Sequence, residues 1–261
     1  MTLPRSAFGA SPPPEARRQR PGRAGAAAAA CARRFALAGA FAACSAPSAG
    51  LPYFPQEVGR RWGYDQTGGW ESNTVEHAPL VRHALGEQSL ASGGKAWQRR
   101  SDSGVDDWLP ADASGIYRVA SQTDTEAGPA PDATPRDVPK LPLAMGSTWQ
   151  APTTPCLLRR NAEFPPELRH SHKPAPMTHR IEALDEAVTT RAGAFKDCIR
   201  VQGQALRKIC TDPVNGIRDL PLNTTEWCCK GLGLVKLQRS EPAKSSVLTG
   251  GLLTLDLSDW E

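Results

Sequence analysis

In the stretch LLTLDLSDW, Leu253, Leu255 and Leu257 alternate with Thr254, Asp256 and Ser258. Residues two apart fall on one face of an extended chain, so this is the pattern of a half-buried strand. AFKDCIRVQ repeats it, with Phe195, Ile199 and Val201 on one face and Lys196 and Arg200 on the other. RWGYDQ, ESNTVEH, KAWQRRS, GIYRVAS, CLLRRN, HRIEALDEAV, EWCCK and GLVKLQR are further strand candidates. The chain holds 23 Gly and 24 Pro, and glycine pairs at 68–69, 93–94 and 250–251 mark turns between these runs. The expected fold is mainly β: an antiparallel sheet or open half-barrel with at most one or two short helices. A helix is expected at 76–91, EHAPLVRHALGEQSLA, with Pro79 in its first turn, where proline is tolerated. Residues 121–140 read as a polar, proline-rich loop.

One frame occurs twice. Pro55, Gly59 and Trp62 share the spacing P-x-x-x-G-x-x-W with Pro142, Gly146 and Trp149. Proline stiffens the approach, glycine supplies a backbone angle that other residues resist, and tryptophan opens the strand as a core anchor. Two copies point to two half-sheets that begin in the same way, against the alternative of coincidence in a chain rich in these residues.

The 261 residues divide into a head and a body. Residues 1–43 hold seven arginines and one acid, Glu15, which leaves 24 basic against 26 acidic residues beyond them. The formal charge of +4 therefore sits in the head, and a nucleic-acid role has little support. Residues 1–32 are rich in Ala, Arg, Pro and Gly, a composition that builds no core. Phe35 to Ala43 form an apolar stretch much shorter than the ~20 residues that span a bilayer. A basic region, a short apolar run and small residues before a cut describe a secretion signal. Phe41-Ala42-Ala43-Cys44 resembles the bacterial lipobox, which implies that Cys44 becomes an acylated N-terminus and that Ser45 directs it to the outer membrane. A plain cut after Ala40-Phe41-Ala42 would give a soluble periplasmic protein, and an uncleaved head a cytosolic one. The expected organisation is a disordered head and signal at 1–43, a tether at 44–50 and an antiparallel β domain at 51–261.

YFPQEVGRRWGY (53–64), AGAFKDCIRV (192–201) and EWCCKGLGLVKL (226–237) resemble a group of uncharacterised Gram-negative exported proteins and lipoproteins. The resemblance rests on Tyr53, Phe54, Pro55, Gly59, Trp62 and Tyr64, then Gly193, Phe195, Asp197 and Cys198, then Trp227, Gly231, Gly233, Leu234 and Val235. It implies a LolA-like β half-barrel and no known catalytic residue. The doubled cysteine at 228–229 departs from the commonest form of the group.

The candidates for chemistry are few. Seven cysteines are present, Cys31 and Cys44 in the head and Cys156, Cys198, Cys210, Cys228 and Cys229 in the body, with no C-x-x-C. Behind an export signal, Cys198 is expected to bridge to Cys228 or Cys229; the alternative is that all five are small buried apolar residues. RHSHKPAPMTH carries His170, His172 and His179, but Pro174 and Pro176 break any helical ligand spacing, so no metal site is expected. GLGLVKL lacks the third glycine of a dinucleotide loop, and no G-x-S-x-G or H-E-x-x-H occurs. Asp106-Asp107 and Asp185-Glu186 are neighbours that a strand points to opposite faces. No catalytic residue and no cofactor are expected.

The expected function is an exported, outer-membrane-anchored lipoprotein of unknown role without catalysis, facing the periplasm, with membrane contact through its lipid. One alternative is a periplasmic carrier of an apolar ligand, with Trp62, Trp149 and Leu255 lining a concave groove. Another is a hydrolase in which His170, His172 and His179 converge with an acid such as Asp185.

Overall fold

A computed structural model describes residues 52–90, 93–160, 174–212 and 216–261. They form fifteen strands and no helix among the described residues. In chain order these are β1 (Arg61–Trp70), β2 (Val75–Ser89), β3 (Lys95–Ser101), β4 (Val105–Leu109), β5 (Ala111–Asp112), β6 (Gly115–Thr123), β7 (Ala130–Lys140), β8 (Thr148–Thr153), β9 (Arg159–Arg160), β10 (Ala175–Thr190), β11 (Gly193–Asp212), β12 (Gly216–Cys229), β13 (Gly233–Glu241), β14 (Leu248–Thr249) and β15 (Gly251–Trp260). Thirteen belong to one antiparallel sheet; β9 and β14 pair separately.

The large sheet is two successive meanders. The first runs β1-β2-β3-β4-β6-β7 and the second β8-β10-β11-β12-β13-β15, each strand pairing with the one before it. β1 pairs with β15, which joins the first strand of one meander to the last of the other. The sheet is curved enough that Leu109 and Ile116 of the first meander share a buried cluster with Ile181, Ile199 and Val201 of the second. Phe54, Trp149 and Cys228 complete that cluster.

The two P-x-x-x-G-x-x-W copies turn alike at their glycines. Gly59 and Gly146 have φ of 87° and 80°. The Gly59 amide donates to the Ala84 carbonyl, and the Ala84 amide donates back to the Arg60 carbonyl. The Gly146 amide likewise donates to the Ile181 carbonyl, and the Ile181 amide donates to the Ser147 carbonyl. Trp62 then lies opposite Arg82 in β2, and Trp149 opposite His179 in β10.

Two sequence expectations are corrected. Residues 76–91 are not a helix: Val75–Ser89 is strand β2, placed between β1 and β3. Leu80, Arg82 and Ala84 alternate along one face of it, and Pro79 lies beyond the reach of β3, which begins pairing at Arg82. The donor that proline lacks is therefore not missed there. Residues 121–140 are not a loop throughout, because Ala130–Lys140 is strand β7. It pairs only with β6, and an edge strand accommodates Pro131, Pro135 and Pro139 because one row of its donors faces no partner.

Two carboxylates fasten the loops around β9 and β14. Glu241 is fully buried and accepts from the Cys156 and Leu157 amides and from Arg239 Nε at 2.6 Å. Glu71 accepts from the amides of Ala243, Lys244 and Gly250. Each replaces water around several backbone donors with one charged acceptor, which supplies the hydrogen bonds these buried turns need.

Candidate functional site

Cross-strand register identifies the residues that share the concave face, because directly opposed residues point the same way. Arg82 opposes Trp62, and Arg99 opposes Ala84. Tyr64 opposes Leu257, Leu255 opposes Leu237, and Leu237 opposes Glu226. His179, Gly203, Thr224 and Arg239 form a row across β10 to β13. The face is thus apolar with a charged centre: Arg82, Arg99 and Glu226, with Arg239 and His179 nearby.

Aromatic rings hold the first two arginines. The Arg99 guanidinium lies over the Trp62 ring at 5.1 Å, and that of Arg82 over Tyr64 at 5.8 Å. Both rings are fixed from behind. Trp62 Nε1 donates to the Leu232 carbonyl at 2.6 Å and the Tyr64 hydroxyl to the Leu234 carbonyl at 2.9 Å. Among the described residues, neither Arg82 nor Arg99 has a carboxylate within ion-pair distance. Asp107, which attracts Arg99 at longer range, is bonded to Arg118 at 3.0 Å.

Arg82, Arg99 and Glu226 form the half-buried charged centre of this face, its recess. All three keep some accessible surface, yet burial lowers the Arg99 pKa and the neighbouring Arg82 charge lowers it further. Burial raises the Glu226 pKa, against the pull of Arg82 and Arg239. His179 stacks on Trp149 at 5.3 Å, and burial, then the Arg239 charge, depress its pKa to about 4. Cys228 is a buried free thiol whose pKa burial raises well above the usual value.

The expected groove residues Trp62, Trp149 and Leu255 are 3%, 5% and 3% exposed and pack in the interior clusters. Four hollows at the described surface are lined by other residues. One of about 400 Å³, on the opposite face near Trp227, contains Glu182, Arg200 and Gln202; its Arg200 is paired with Glu186 and so offers no free charge.

Cys198 and Cys229 oppose each other in β11 and β12 and are joined by a disulfide. A bulge between Trp227 and Cys228 accompanies this pairing, and Cys228 turns to the cluster of Ile199 and Val201. Cys156 is an exposed free thiol. Cys44, His170, His172 and the side chain of Cys210 lie outside the described residues. Asp185 is exposed at a bulge with φ of 56°, and no contact joins it to His179. Among the described residues no group of His, Cys, Asp and Glu is placed to hold a metal.

The arginines were missed because Arg82 fell within the expected helix and Arg99 within a run of charged residues. The available signal was alternation: in PLVRHALG the charge of Arg82 occupies the same parity as Leu80 and Ala84.

No family model and no curated protein matches this chain. Among solved structures, a candidate lipoprotein from Parabacteroides distasonis is 14% identical, with a TM-score of 0.35 over 81% of this chain and 99% of that one. A candidate exported protein with a YmcC-like fold from Bacteroides fragilis is also 14% identical, with a TM-score of 0.37 over 80% and 98%.

Proposed function

We propose that this chain is an exported, non-catalytic binding protein, tethered to the outer membrane by a lipid on Cys44, whose concave sheet face receives a ligand. The tether rests on Phe41-Ala42-Ala43-Cys44 behind a basic and apolar leader. The binding role is carried by one observation: Arg82 and Arg99 sit within a largely apolar face, held by aromatic rings and unmatched by carboxylates. Enclosing a guanidinium costs several kcal/mol unless its donors are satisfied, so such groups are kept where water or a ligand meets them.

Mass spectrometry of the mature N-terminus from native membranes should find acylated Cys44, and Cys44→Ala should release the chain or leave its precursor uncut. An unmodified N-terminus overturns the tether. Phenylglyoxal labelling of the folded chain should modify Arg82 and Arg99. If both resist under conditions that label the exposed Arg191, the face is closed and the binding role fails.

A further inference from the structure

The charge of the recess specifies what enters it. Most other described arginines are matched, Arg60, Arg61, Arg100, Arg118 and Arg239 among them, while Arg207 and Arg218 in the β11–β12 hairpin also reach no carboxylate. Arg82 and Arg99 reach none, although they are close enough for the Arg82 charge to act on Arg99. The like charges are not separated, and the carboxylate in the same recess, Glu226, approaches neither within ion-pair distance. Burial also disfavours its charged form. An aromatic ring lies beside each guanidinium, and among the described residues no hydrogen bond engages their N–H groups, the donors with which arginine grips two oxygens of one group. Half-buried Leu80, Leu237 and Leu253 share this face, so the surroundings are poor in competing donors and acceptors.

We propose that the recess is an oxyanion site, in which Arg82 and Arg99 together hold a phosphate or carboxylate of a small-molecule ligand. This rests on the binding role argued above and adds the charge of the ligand and the residues that recognise it. Positive charge is excluded from the ligand by the two unmatched cations, and a purely apolar one would leave both guanidinium edges without partners in a drier site.

The test uses the full-length chain carrying Cys44→Ala, so that no lipid is attached. Tryptophan fluorescence, to which Trp62 under Arg99 contributes, is followed during titration with inorganic phosphate, decyl phosphate and decanol below its solubility limit. Saturable binding of inorganic phosphate supports a free anion as the ligand; binding of decyl phosphate alone supports an anionic amphiphile. In either case Arg82→Gln and Arg99→Gln should each weaken binding roughly 10- to 100-fold, the loss of a charge-assisted hydrogen bond. Glu226→Gln, which leaves both arginines in place, should tighten it most at high pH, where the carboxylate carries its charge, and less as the pH falls. It serves as the measure should either arginine variant fail to fold. Equal binding of decanol, with no effect of any variant, overturns the oxyanion site while leaving a binding role. No binding of any probe, together with unlabelled arginines, overturns both.

Discussion

Gly203 sets the spacing of the row that crosses the sheet beside the recess. A methyl group there would come within 2.3 Å of Thr224 Oγ1 and 3.1 Å of His179 Cε1, so only glycine lets these side chains close over the strand. The closure dries His179 and stacks it on Trp149. Its depressed pKa makes a stability prediction. The folded His179 resists protonation until about pH 4, whereas the unfolded chain accepts a proton near 6.5. Stability from this group is therefore full above about pH 6.5 and is lost as pH falls through about 4. Glu226 is shifted upward and works in the opposite sense, so the measurement belongs in a Glu226→Gln background. Urea midpoints there should fall between about pH 7 and 4, and adding His179→Gln should flatten the decline. An unchanged slope would remove His179 as its source.

At the scale of elements, the repeated frame explains how each meander begins. Gly59 and Gly146 turn the chain with positive φ, and the next residues offer their carbonyls to the neighbouring strand in matching register. An added Cβ meets nothing within 4 Å at Gly59 and only Arg180 Nη2, at 4.0 Å, at Gly146. The cost of alanine is then conformational alone. Gly59→Ala and Gly146→Ala should each destabilise by about 1–2 kcal/mol in urea unfolding. A loss at one and none at the other would mean that Gly59 and Gly146 do not play equivalent parts. β2 teaches the converse lesson. The apolar positions of residues 76–91 can be drawn on a helix or on a strand, and the choice fell to β1 and β3, which flank this segment and satisfy its backbone.

At the scale of the molecule, the Cys198–Cys229 bridge ties β11 to β12 across 31 residues. Closing a loop of that length stabilises by about 3–4 kcal/mol in the chain-entropy model. Cys198→Ser with Cys229→Ser should lower unfolding stability by that order without abolishing the sheet, since the strands pair from Cys198 to Asp212. Unaltered stability would show that the bridge does not constrain the unfolded chain. The sequence alone determined the mainly-β class, many of the strands, the turns and the two tryptophan-led strand starts, because strand alternation and glycine geometry are local properties. β7 was hidden because proline reads as loop until an edge position excuses it. The placement of the face was decided by tertiary structure. Strand register puts Trp62 and Leu255 on a side with Arg82 and Glu226, and the curvature of the sheet decides which of them are sealed in the core and which border the recess. That curvature arises from strands far apart in the chain, so no local pattern carries it.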